Sequence, residues 1–151
     1  MDDSWLHSEP DDPRPAMTSR DLRLLLAAAR EASRQARLDE INDRRRIGVA
    51  LGAHGENPSL ERLLFLHRFT DGHGHWDTSR LLCAEGYDLH HLLRRKPDVT
   101  AALLSTTHRC TGPCLALGSA CAAGSQAIGE AFHLIRDGRC DVALAGGCES
   151  N

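Results

Sequence analysis

No apolar run in this sequence is longer than Leu24 to Ala29, far short of the roughly 20 residues that span a bilayer. A membrane-spanning helix is not expected on that ground. Charge of one sign is also missing: 18 Lys and Arg stand against 21 Asp and Glu, a net charge of -3, so no long-range field draws the chain to nucleic acid or anionic lipid. The opening MDDSWLHSEPDDPRP is acidic and proline-rich, whereas an export signal needs a basic start and then an apolar stretch. The expected location is therefore cytoplasmic, where disulfides are rare. Six cysteines, Cys83, Cys110, Cys114, Cys121, Cys140 and Cys148, are present. Four sit in apolar or small-residue runs, which favours reduced, buried thiols over a disulfide framework.

Residues 1–17 combine acidic side chains and prolines with little apolar content, a composition that predicts a disordered leader. One domain of residues 18–151 follows, long enough for a single core. Thr18 and Asp21 are spaced like a capping pair, and Leu22, Leu25, Leu26, Ala29 and Ala36 recur at helical spacing, so an amphipathic helix is predicted there. Asp39 to Arg46 reads as a charged surface connection, and Ile47 to Leu51 as a buried strand running into Gly52. Ser59 to Phe69 predicts a second helix capped by Ser59; TDGHGHWDTSR reads as loop; Leu89 to Arg95 and Pro97 to His108 predict helical segments broken at Pro97.

The last forty residues carry the chemistry. Leu115 to Ala120 predicts a strand, Cys121 to about Arg136 a helix stopped by Gly138, and Asp141 to Ala145 a strand ending in Gly146-Gly147. Strand, helix and strand predict a parallel pair with a right-handed crossover, and sites in such units form outside the carboxyl ends of the strands. Cys121 stands at one of those ends. A helix start offers unpaired N–H groups and partial positive charge, which favour a thiolate, the species that attacks carbonyl carbon. The N–H of a nucleophile on a tight strand-to-helix turn can also donate to the oxyanion of acyl transfer. The helix is rich in small residues, with Gly124 and Gly129 among them. Because an internal glycine costs about 1 kcal/mol relative to alanine, these point to close packing. A buried helix is expected, with Ile128, Phe132 and Ile135 as its larger apolar stripe.

The run from Gly112-Pro113 to Gly146-Gly147, with Ser119-Ala-Cys-Ala-Ala-Gly124, Ala127-Ile-Gly-Glu-Ala131 and Asp141-Val-Ala-Leu-Ala-Gly-Gly-Cys-Glu149, resembles the β-ketoacyl synthases. More weakly, Arg46 to Gly52 looks like the family strand before a substrate-side loop. The resemblance implies an α/β, thiolase-like layered fold, of which this chain is the amino-terminal half, with the nucleophile-bearing helix buried against a mixed sheet. It also implies that Cys121 is the catalytic nucleophile, accepting an acyl group from an acyl carrier protein or acyl-CoA thioester before decarboxylative condensation with a malonyl thioester in fatty acid or polyketide synthesis. No cofactor or metal is implied. A homodimer, or a complementary second-half polypeptide, is the expected partner.

Two departures bear on activity. Nothing in residues 1–17 matches the strand and glycine-rich turn with which the family opens, and the two histidines and one lysine that the family supplies from its second half have no counterpart before Asn151. The alternative function is a non-catalytic remnant or interaction subunit. His73, His75, His90 and His91 read as solvated histidines, and His108-x-Cys110-x3-Cys114 lacks the second ligand pair of a zinc site. An unrelated thiol hydrolase would need a histidine and an Asp or Asn beside Cys121.

Overall fold

A computed structural model of the chain describes residues 20–53, 59–87 and 96–149. Residues 1–17, the Thr18 cap expected for the first helix, the segment Leu89 to Arg95, and His90 and His91 lie outside the described residues. The first helix, α1, spans Arg20–Gln35. Two short 3-10 turns, Leu38–Glu40 and Arg44–Arg46, then lead into strand β1, Ile47–Ala53. Helix α2 covers Leu60–His67, and its first turn is closed by Ser59, whose side chain accepts from the Arg62 N–H. Part of the stretch expected to be loop is helical: α3 runs over Thr78–Leu82, because the Asp77 side chain caps it by accepting from the Arg80 N–H. Helix α4, Pro97–Thr107, opens with proline at a position whose N–H needs no partner.

Strand β2 is Cys114–Leu117, helix α5 is Ala123–Arg136 and strand β3 is Val142–Cys148. The sheet order is β2-β1-β3, and both outer strands run parallel to β1. The described strands are thus all parallel where a mixed sheet was expected. The predicted strand-helix-strand unit is present, but its two strands are not neighbours, since β1 lies between them. Gly146 and Gly147 do not end β3; they continue its ladder opposite Leu51 and Gly52.

β1 is buried along its whole length, as expected of a parallel strand covered on both faces. Ile47, Val49 and Leu51 point to one side, packing with Leu22 and Leu25 of α1 and Leu104 of α4. Each such side chain contributes about 1.5–3 kcal/mol on full burial. On the other side Ala50 meets Ala127 and Ala131 of α5. That face is built from small residues, so α5 lies close to the sheet. The stripe expected to be buried is the exposed one: Ile128 and Phe132 are 60% and 61% accessible, while Ala123, Ala127, Ala131 and Leu134 face inward. Large side chains do not fit along the first turns of α5, where helix and sheet backbones approach most closely.

Candidate functional site

β2 ends at Leu117, earlier than the predicted Ala120, and α5 begins at Ala123, later than the predicted Cys121. Between them a 3-10 turn, Ala120–Ala122, holds the cysteine. Ala120 adopts φ 49°, the left-handed region that an L-residue enters at a cost of about 1–2 kcal/mol. Such strain persists only where surrounding structure enforces it, and it clusters at active sites. Here the enforcement is local: the Ala122 N–H donates to Ser119 O, and the Ala123 N–H to Ala120 O. The N–H of Cys121 donates to no backbone acceptor among the described residues.

Cys121 is exposed and free. It opens onto a cleft of about 420 Å³ whose walls include Gly52 and Ala53 at the end of β1, Ser125 and Ile128 of α5, and Glu149 just past β3. The site therefore lies outside the carboxyl ends of the strands, where the parallel topology places it. The other thiols differ. Cys110 and Cys140 are buried, Cys148 is partly so, and Cys83 and Cys114 are exposed, against an expectation of mostly buried thiols. Desolvation raises the thiol pKa of Cys110, Cys114 and Cys140, which holds all three protonated at neutral pH.

No histidine or lysine lines the cleft among the described residues. The sequence holds a single lysine, Lys96, at the start of α4. His73 and His75 are exposed on a separate loop, where His75 Nδ1 lies 3.0 Å from Asp71 Oδ2. Backbone donors from the same loop and this histidine lower the Asp71 pKa, so the carboxylate organises the turn. His108 is occupied elsewhere, with Nδ1 3.0 Å from Ser33 Oγ. Among the described residues no three of His, Cys, Asp and Glu converge as a metal would require.

Three contributors were not read from the sequence. Ala120 carries the turn's strain, Glu149 reaches the cleft, and Gly52 and Gly147 face each other across the β1–β3 ladder directly beneath the start of α5. The small residues at the start of α5, Gly124 among them, signalled close packing, while Gly52 and Gly146-Gly147 read only as strand ends.

Residues 11–151 match the family model for the β-ketoacyl synthase N-terminal domain. Nodulation protein E of Rhizobium leguminosarum bv. trifolii is 36% identical over 146 residues, covering 94% of this chain and 33% of that protein. The tetracenomycin polyketide synthase ketoacyl synthase alpha subunit of Streptomyces glaucescens is 30% identical over 142 residues, covering 91% of this chain and 32% of the relative. Among solved structures, a ketosynthase from Xenorhabdus doucetiae in complex with its chain length factor superposes with a TM-score of 0.59 at 25% identity, covering 97% of this chain and 32% of the other. The chain spans about a third of the length of each of these relatives.

Proposed function

Because the chain belongs to the β-ketoacyl synthase family, matching its N-terminal domain, we propose that it carries the acyl-accepting half-reaction of a ketosynthase in fatty acid or polyketide synthesis. The Cys121 sulfur attacks the carbonyl carbon of an acyl thioester borne by a carrier protein or coenzyme A. A carbon–sulfur bond forms, and the carbonyl electrons move to oxygen. The Cys121 N–H donates to that oxyanion. Collapse expels the carrier thiolate, which takes up a proton, and leaves the acyl group on Cys121. Condensation with a malonyl thioester then draws on groups outside this cleft.

The observation that carries this reading is the exposed Cys121 on a strained turn at the mouth of a cleft, with an amide that donates to no backbone acceptor among the described residues. Incubation with an acyl-CoA and peptide mass analysis tests it. An acyl mass on the Cys121 peptide, absent in Cys121→Ala, is expected; acylation of Cys83 and Cys114 with Cys121 unmodified would refute it. The absence of His and Lys from the described cleft supports a second reading, a non-condensing interaction subunit. On that reading Cys121→Ala leaves both partner binding and acyl products unchanged.

A further inference from the structure

We infer that Gly52 and Gly147 are positioning residues for Cys121: paired across β1 and β3, they let the start of α5 sink onto the sheet and thereby fix the height of the cysteine turn. The two residues are register partners, so their missing side chains would point to the same face of the sheet. On that face lies the first turn of α5. A Cβ on Gly52 would come within 2.5 Å of Ala123 O and 2.6 Å of Gly124 N. Both atoms are main chain and neither can swing aside. A Cβ on Gly147 would sit 3.0 Å from Gly124 Cα and 3.1 Å from Gly52 O. Three glycines from three elements thus meet backbone to backbone, two residues beyond the 3-10 turn that holds Cys121.

Carbon atoms rest about 3.5–4.0 Å apart, so a methyl on Gly52 forces the helix start outward by about 1 Å. The turn before it is rigid, because its two hydrogen bonds and the left-handed Ala120 leave little slack, and the displacement passes to Cys121 and its N–H. A misplacement of about 1 Å can cost about 100-fold in rate. Gly147 requires a smaller shift and a smaller loss. Its chain neighbour Gly146 gives the opposite expectation, since a Cβ there meets nothing within 4 Å, as is also true of Gly129 in the middle of α5. The ranking follows geometry, and neighbours in sequence fall on opposite sides of it.

The test uses the full chain and the variants G52A, G147A, G146A, G129A and L134A. Two rates are read by peptide mass analysis well below each melting midpoint: acylation of Cys121 by an acyl-CoA, and its iodoacetamide alkylation relative to Cys83. Acylation falls about 100-fold in G52A and by less in G147A; it is unchanged in G129A, and G146A, at the cleft wall but clear of α5, loses less than G147A. The Cys121 to Cys83 alkylation ratio shifts in the same order. L134A empties a buried site at the far end of α5, so it lowers the midpoint and leaves both rates intact. G146A matching G147A, or L134A slowing Cys121 as much as G52A does, would overturn the inference. It rests on the acyl-acceptor reading only for the first rate. If wild-type Cys121 takes no acyl group, that reading fails, and the alkylation ranking still decides the positioning role. Should G52A not fold, G147A against G146A carries the comparison.

Discussion

Ser33 Oγ of α1 and His108 Nδ1 at the end of α4 lie 3.0 Å apart, joining residues 75 positions distant in sequence. The ring's other nitrogen, Nε2, is buried and has no hydrogen-bond partner among the described residues. Desolvation first, and the nearby Arg30 second, lower the His108 pKa beneath its ordinary value of 6.5. The folded state therefore holds the neutral ring, and the unfolded chain binds the proton first as pH falls. Stability from this site is complete above pH 6.5 and declines below it. Urea midpoints at pH 7.5, 6.5 and 5.5 should decline in that order, with a flatter profile for His108→Gln. A profile unchanged by that substitution would remove His108 as the cause. Ser33→Ala should cost about 1 kcal/mol at neutral pH through loss of the hydrogen bond.

A second pH effect lies further into acid. Arg46 Nε donates to Asp141 Oδ2 at 3.1 Å and its Nη1 to Gly138 O at 2.8 Å, tying the start of β1 to the turn before β3. The guanidinium lowers the Asp141 pKa below its ordinary 3.8, so this contribution is present at neutral pH and is lost as pH falls below that value. Asp141→Asn should lower the denaturation midpoint at pH 7 and narrow its gap to wild type near pH 3. Because both groups are exposed and paired in water, high salt should shrink the effect. An equal gap at both pH values would show that the carboxylate charge plays no part.

The features legible in the sequence were those set by local pattern. Leucine spacing marked α1, Ser59 marked the start of α2, and the apolar run at Ile47 marked β1, because caps and periodicity act within a few residues. The position of Cys121 at a strand-to-helix junction was legible for the same reason, and the family resemblance followed from the motif around it. Long-range packing was not legible. Nothing local to Val142 tells that β3 pairs with β1 and not with β2. Likewise, Ile128, Phe132 and Ile135 form the larger apolar stripe of α5, yet the alanines face inward, because Gly52 and Gly147 bring the backbones too close for anything larger. Size was read as a proxy for burial, and the close approach reverses it.

That close approach makes the alanine seam intolerant of added volume. Ala50 and Ala127 are both fully buried and face each other between β1 and α5. Ala127→Leu should destabilise by about 1–3 kcal/mol, the range for overpacking a filled core, as read by chemical denaturation. Ala127→Ser, of nearly the same volume, should lose less if its hydroxyl bonds back to the preceding turn. A neutral Ala127→Leu would mean that α5 can lift from the sheet at little cost, which would contradict the packing of Gly52 against Ala123.

The outward side of α5 presents the converse problem. Ile128, Phe132 and Ile135 are 60%, 61% and 43% accessible and recur at spacings of four and three residues, forming one apolar strip along the helix. It is turned by about 100° from the buried alanines. The Arg136 guanidinium lies 5.8 Å from the Phe132 ring centroid, and the His133 ring packs edge-on to it at 5.6 Å. Covering such side chains is worth about 1.5–3 kcal/mol each when complete, and for the isolated chain the available cover is another copy. Sedimentation over a range of concentrations should therefore show self-association. The double substitution Phe132→Ser with Ile135→Ser should weaken it at least tenfold while leaving the urea midpoint of the monomer nearly unchanged, since neither side chain supports the inner core. A chain that sediments as a monomer at every concentration would show that the strip is too small or too well solvated to drive association. Self-association that persists in the double variant would place the contact elsewhere, with the exposed leucines Leu60, Leu63 and Leu64 of α2 as the next surface to alter.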